Sequence, residues 1–299
     1  MENKNTKLQK RFFSTRRFIS GWALMIPTLL LLTLCLWRPV IIGTVYSFFK
    51  LKGFEPIEFA GLKNYMSILR DDNFRIALVN SVKFVLWSLV LGLPLPLIAA
   101  FLINEIVHGK TCFKVGLYMP VALPGIAVWM IWKLLYQPGP NGVMNMLIKC
   151  FGAGESMWLQ NSSITILLII VVMTWRSFGS TTLYYLAALQ GINQEMYEAA
   201  KIDGAGIWAR IRYIMLPDVY PIVLLFAVRQ IIGVFQSYEA VLTMTGGGPN
   251  NASLNLGLLT YRYAFGNFQI DKGLASSFVT FIMLMVITVI YFRLEKKLS

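Results

Sequence analysis

The chain has 299 residues, 57% of them hydrophobic and 14% charged, with a mean hydropathy of +0.62. Soluble domains carry roughly 45–50% apolar and about 25% charged residues, so these proportions exclude a soluble globular domain and identify an integral membrane protein. The formal net charge of +13 does not point to nucleic acid, because the basic residues gather at the ends of apolar runs, where membrane topology places them.

A basic tail comes first, with Lys4, Lys7, Lys10, Arg11, Arg16 and Arg17. A hydrocarbon core about 30 Å thick needs roughly 20 apolar residues per helix. Six runs meet that length, approximately 21–47, 76–103, 113–135, 164–188, 219–242 and 273–292. The first is interrupted at Arg38-Pro39, which predicts a kinked continuation beyond Trp37. A second basic cluster, Arg293, Lys296 and Lys297, follows the last run. Six spans put both tails on one side, and the lysine and arginine bias makes that side the cytoplasm. The expected fold is therefore all-α and polytopic, with six transmembrane helices, N-in and C-in, in the cell membrane. Residues 1–75 would hold the tail, first span and outer segment, 76–293 a core domain, and 294–299 a cytoplasmic tail.

Cys35, Cys112 and Cys150 are odd in number and widely spaced, and His108 is the lone histidine. They give neither a disulfide framework nor a metal site, and the cysteines read as small apolar fillers. No histidine-centred catalytic constellation occurs, so no catalytic residue is assigned. The outer segments carry turn-rich stretches at 138–142 and 246–251 that cannot continue a helix.

A charge in mid-membrane needs a cavity or a partner. Arg176 lies near the middle of the fourth run and Arg229 near the middle of the fifth, while Lys83 and Lys133 sit where they can snorkel. Arg229, Gly233 and Gln236 would share one helical face, with Glu239 just beyond. The fourth run adds Trp175, Ser180, Thr181, Tyr184 and Tyr185. Such aromatic and polar mixtures suit sugars. The arginines either line a cavity or bond carbonyls and carboxylates such as Glu239 at an interface, and the tyrosines read as interface packing more than as sugar platforms.

Between the fourth and fifth runs lies the polar stretch QGINQEMYEAAKIDGAGIWARIRYIMLPD, residues 190–218. Asn193 can cap a helix running through Glu195 and Glu198 to Asp203, and Gly204 supplies a left-handed stop. A second short helix, 207–215, leads to Leu216-Pro217, with Pro217 in the first turn of the next span. Small Ala199 and Ala200 would let another backbone approach. The loop thus either docks a cytoplasmic partner or lies on the membrane surface.

Glu198-Ala199-Ala200, Gly204, and Ile214-x-Leu216-Pro217 resemble the EAA signature of ABC importer permeases. The longer string YLAALQGINQEMYEAAKIDGAGIWARIRYIMLP resembles their carbohydrate-uptake branch, relatives of maltose- and glycerol-phosphate-type permeases. LTMTGGGPNNASLNL and NYMSILRDDNFRIALVNSVKF resemble that branch's outer loop and entry to the second span. The resemblance implies a type-I importer permease fold. It implies a transporter subunit that is no enzyme and carries half of a path for a sugar or oligosaccharide. The loop 190–217, with Glu198, Ala199, Ala200, Asp203, Gly204, Ile214, Leu216 and Pro217, would couple to an ATPase subunit. A second homologous permease, an ATP-binding cassette dimer and an external solute-binding protein are the implied partners. No G-x-x-x-x-G-K-[ST] stretch occurs, so no cofactor is expected in this chain, and ATP with Mg would belong to the ATPase. Arg176, Arg229, Gly233, Gln236 and Glu239 are the path candidates. Arg38 and Glu239 depart from the residues usual in the family, and buried guanidinium groups leave an anionic cargo, a uronate or phosphate, open. The alternative is an ion-coupled secondary transporter, which would want exchangeable acids deep in the spans. Glu239 alone is available.

Overall fold

Apolar runs become helices because backbone N–H and C=O groups in hydrocarbon must bond within their own segment. The computed structural model describes residues 21–105, 109–192 and 194–298. The basic tail from Lys4 to Arg17, His108 and Asn193 lie outside the described residues. The first span is α1, Gly21–Tyr46. A hairpin follows, β1 (Phe49–Lys52) antiparallel to β2 (Glu55–Phe59), with Lys50 opposite Glu58 and Lys52 opposite Glu55. Opposite charges facing each other favour that register. The hairpin is the one addition of sheet to an otherwise helical body among the described residues.

A short α2 (Lys63–Leu69) leads to α3, Asp72–Glu105. Asp71 starts α3 by accepting the Asn73 amide at 2.9 Å. This satisfies one of the orphan donors at the helix start. With 34 residues, α3 is about 50 Å long and outreaches the hydrocarbon core.

The third apolar run differs from the unbroken span expected over 113–135. It forms α4 (Lys110–Ala122) and α5 (Gly125–Leu135), bent by 93° at a short break. Pro124 is the reason: it has no N–H to give and pushes Leu123 into extended backbone, φ −75° and ψ 139°. Next come α6 (Val143–Cys150), α7 (Thr165–Leu189), α8 (Gln194–Ile202), α9 (Ile207–Phe235), α10 (Tyr238–Met244), α11 (Leu256–Tyr261) and α12 (Ile270–Leu298). The chain thus has five single apolar spans and one broken pair among the described residues.

Two of the prolines inside continuous helices, Pro39 and Pro217, follow a widened turn. In α1 the turn Thr33–Trp37 is π-helical and closes on Arg38, one residue before Pro39. In α9 the turn Ile211–Met215 does the same before Leu216-Pro217. A proline ring collides with the carbonyl four residues back and cannot donate to it, and a widened turn relieves both problems. The short helix expected over 207–215 forms there with a π-helical last turn, and it runs without a break into the α-helical stretch Leu216–Phe235, whose first turn holds Pro217.

Buried side chains form two clusters. One contains Phe84, Ile169, Ile170, Leu254, Leu256 and Leu258, and the other Phe101, Tyr185, Leu186, Leu189, Met215 and Val219. The first lies toward the 243–272 end of the bundle and the second toward α8. Close approach of α4 and α7 depends on Gly179, where a Cβ would fall 1.9 Å from the Leu117 carbonyl oxygen. At the outer end, Asn80 on α3 donates to the Asn251 and Leu254 carbonyls at 2.9 and 3.0 Å. The glycine-rich loop is thereby stitched to α3. The cysteines are not core fillers: all three lie exposed on outward helix faces, because neither cluster reaches those faces.

Candidate functional site

The loop helix α8 ends as its sequence dictates. Gly204 has φ +77°. Its amide donates to the Lys201 carbonyl at 3.1 Å, and the Ala205 amide donates to the Ala200 carbonyl at 2.9 Å. This pair of bonds closes the last turn, and glycine enters it without a Cβ penalty. A Cβ there would meet nothing within 4 Å, so the tip is open to a partner.

Glu198, Ala199, Asp203 and Gly204 are exposed on this tip and Ala200 is half-buried behind them. Large apolar side chains stand beside them, with Ile202 86% and Trp208 81% exposed. Ile214, Leu216 and Pro217 belong to the π turn and the stretch of α9 beyond it, away from that tip. The coupling residues read from sequence thus fall into a helix-and-turn group and an α9 group.

Three residues that sequence reasoning did not single out hold the loop in place. Glu105, the last residue of α3, pairs with Arg210 of α9 at 3.3 Å. Arg210 also donates from Nη1 to the Tyr197 hydroxyl at 2.9 Å, and its guanidinium stacks on the Tyr197 ring 4.9 Å from the centroid. The Tyr197 hydroxyl in turn donates to the Glu105 carboxylate. Arg210 is only 8% exposed. Burial, followed by the Glu105 carboxylate, pushes the Tyr197 phenol up to about 12, so it stays a neutral donor at physiological pH. Three helices, α3, α8 and α9, therefore meet in one charge-assisted knot. Its signal in the sequence is an isolated acid ending a long apolar run.

The five path candidates come together. Arg176, Arg229, Gly233, Gln236 and Glu239 all line one cavity of about 340 Å³, with Trp129 and Tyr238. Arg229, Gly233 and Gln236 face it together from α9 and its C-cap, and Arg176 faces it from α7. α9 stops at Phe235 and Gln236 caps it, so the chain turns and Glu239 returns on the first turn of α10. Gly233 opens space beside Arg229, since a Cβ there would meet nothing within 4 Å.

The cavity wall is aromatic and cationic. Arg176 sits 5.7 Å from the Trp129 ring centroid, and Arg229 sits 5.6 Å from both Tyr184 and Phe226. Tyr185, fully buried, packs into the core against Phe226, whereas Tyr184 is exposed. Lys133 donates to the Thr243 carbonyl at 3.2 Å near the outer end. Among the described residues neither cavity arginine has a carboxylate partner within ion-pair distance. No group of three or more metal-ligating side chains occurs among the described residues.

A family described as "Binding-protein-dependent transport system inner membrane component" matches residues 92–299. The chain is 29% identical over 279 residues to the multiple sugar-binding transport system permease protein MsmF of Streptococcus mutans, covering 93% of this chain and 95% of that one. It is 28% identical to the arabinooligosaccharides transport system permease protein AraP of Halalkalibacterium halodurans, covering 93% and 87%. It is 29% identical to the lactose transport system permease protein LacF of Rhizobium radiobacter, covering 95% and 94%. A solved bacterial ABC transporter involved in the import of the acidic polysaccharide alginate has a chain of the same fold. The TM-score is 0.84 at 21% identity, covering 97% of this chain and 99% of that one.

Proposed function

The chain belongs to the binding-protein-dependent transport system inner membrane components, and from that membership we propose that it passes a sugar or oligosaccharide through the membrane at the α7–α9 cavity. It is a multi-pass permease subunit and not itself an enzyme. The curated relatives named for sugars, matched along nearly their full length, support a carbohydrate cargo. The ion-coupled alternative has no support among these likenesses.

The observation that carries the coupling part is the α8 tip: an exposed helix and glycine turn, flanked by exposed Ile202 and Trp208 and pinned by buried Arg210. A helix this short is not stable alone, and its anchoring to α3 and α9 makes it a rigid projection. Exposed apolar side chains on such a projection suit a protein groove. The groove belongs to an ATPase subunit that binds ATP and Mg. Closure of an ATPase dimer pushes α8, and the Glu105–Tyr197–Arg210 knot passes the push to α3 and α9. A second homologous permease completes the path, and an external solute-binding protein delivers the sugar. Alternating access follows: the cavity opens outward when the ATPases close and inward after hydrolysis.

The test is uptake of a labelled saccharide panel by cells lacking the gene, complemented with wild type, Glu198→Lys or Gly204→Asp. Both variants should reach the membrane at normal levels and lose gene-dependent uptake, because only the dock is spoiled. Uptake that survives in both variants would remove α8 from the coupling role.

A further inference from the structure

The break between α4 and α5 leaves a helix N-terminus beside the cavity. α5 has Pro124 at its N-cap with no side-chain capping bond, and its first intrahelical bond is Val128 to the Pro124 carbonyl, 3.1 Å. The amides of Gly125, Ile126 and Ala127 precede that bond, and the helix dipole puts partial positive charge there. Two side chains converge on the same corner. A Cβ built on Gly125 would lie 3.5 Å from Trp129 Nε1 and 3.6 Å from Arg176 Nη2. Trp129 is 6% exposed, and its Nε1 has no hydrogen-bond partner; Arg176 Nε is likewise buried without one. Both residues line the cavity.

Every unsatisfied group at this corner is a donor. Indole N–H and guanidinium N–H cannot accept, and buried donors in native structures almost always find an acceptor. A sugar hydroxyl brings a proton that this corner cannot take, whereas a carboxylate is acceptor-only and matches a guanidinium in bidentate geometry. Arg229 adds a second guanidinium to the cavity wall, against the single carboxylate of Glu239. Arg176 falls near the middle of the 25-residue α7, where an uncompensated charge is costly.

We propose that Gly125, Trp129 and Arg176 form an anion subsite that holds an oxyanion group, a uronate carboxylate, on an acidic oligosaccharide passing through the cavity. The subsite rests on the importer reading above and narrows its cargo from sugars in general to sugars bearing negative charge. Arg176 grips the oxyanion, Trp129 Nε1 donates alongside, and the Gly125 position stays free of a side chain so that the group can reach the α5 amides.

The test uses gene-deleted cells complemented with wild type, Arg176→Gln, Arg176→Lys or Trp129→Phe, with membrane levels checked for each. The probes are labelled di- to tetrasaccharides of mannuronate, galacturonate and glucuronate, each beside its carboxyl-reduced neutral form. Maltose-, arabinose- and lactose-type neutral oligosaccharides and a sugar phosphate complete the set. The expected result is gene-dependent uptake of an acidic member. Arg176→Gln should lower it at least about tenfold through KM, Arg176→Lys should recover part, and Trp129→Phe, which keeps the ring and deletes only the N–H, should lower it roughly threefold to tenfold. Uptake of the sugar phosphate with the same variant pattern supports the oxyanion subsite and reassigns the group from carboxylate to phosphate. Gene-dependent uptake confined to neutral members overturns the subsite and leaves the importer standing. Equal loss of acidic and neutral uptake in all three variants makes the corner merely structural and also overturns it. No gene-dependent uptake of any saccharide overturns the importer reading, and the subsite falls with it.

Discussion

At the scale of single residues, the charge that matters most for holding the loop is Arg210, because it is almost out of water and has one carboxylate to answer it. Glu105→Gln keeps the shape and the hydrogen-bonding reach but leaves the guanidinium without its counter-charge, which should cost roughly 2–3 kcal/mol locally. The cost falls on the loop rather than on the helix bundle, since Glu105 and Arg210 tie α8 to its neighbours and lie outside the larger core cluster. Hydrogen exchange over residues 194–206 should speed up, and uptake should fall about tenfold while the melting temperature of the purified chain moves by only a few degrees. Glu105→Gln with Arg210→Gln should recover part of the loop protection, because removing both charges leaves no buried charge unanswered. Faster exchange throughout the bundle would instead make the knot a general stability element. Only Glu105, an isolated acid ending a long apolar run, hints at this in the sequence; its partners were not legible there. Tyr197 and Arg210 stand thirteen positions apart and Glu105 ninety-two positions before Tyr197, and pairing over such separations has no periodic signature.

At the scale of elements, the sequence was most legible where one physical rule dominates. Apolar runs of spanning length became helices, and Gly204 became a left-handed helix stop, because the hydrocarbon and the missing Cβ each leave few alternatives. It was least legible at prolines, which can start, break or sit within a helix. Pro217 stands in the first turn of the stretch Leu216–Phe235 yet also within continuous α9, behind a π turn, and Pro124 divides a run that hydropathy alone reads as continuous. Close helix packing is hidden in the sequence as well, since Gly179 looks like any other glycine in an apolar run. A methyl group there would meet the Leu117 backbone at 1.9 Å, and backbone cannot rotate aside as a side chain can. Gly179→Ala should therefore force α4 from α7 and cost roughly 1–3 kcal/mol, read as a lower melting temperature in detergent. Gly233→Ala, whose added Cβ meets nothing within 4 Å, is the matched control and should melt like wild type. Equal melting of the two variants would show that α4 can shift without cost.

At the scale of the whole molecule, the cavity lies between two packed clusters, with Phe226 of the second cluster in its wall. On the proposed coupling, a push on α8 would reach the second cluster first, through Arg210 and Met215 on α9, and α9 continues past the cavity to Gln236. α9 would thus both receive that push and form a wall of the proposed path. The residue types of that site were legible as a list, because charges within apolar runs need a reason to be there. Their meeting place was legible only in part: Arg229, Gly233 and Gln236 read as one face, but Arg176 and Glu239 join them through α7 and through α10, which restarts after α9 ends at Phe235. Arg229 tests whether this wall handles cargo. Its guanidinium is stacked on Tyr184 and Phe226 without a carboxylate partner, and cation–π contacts at exposed sites are worth only about 0.5–1 kcal/mol each. Arg229→Ala should therefore leave the melting temperature and membrane level close to wild type. A cargo that touches the guanidinium loses a charge-assisted hydrogen bond, so KM for uptake should rise several-fold, with a smaller change in the maximal rate. Lower complex stability with unchanged KM would place Arg229 at a subunit interface, and the cavity would then be lined for cargo by α5 and α7 without it.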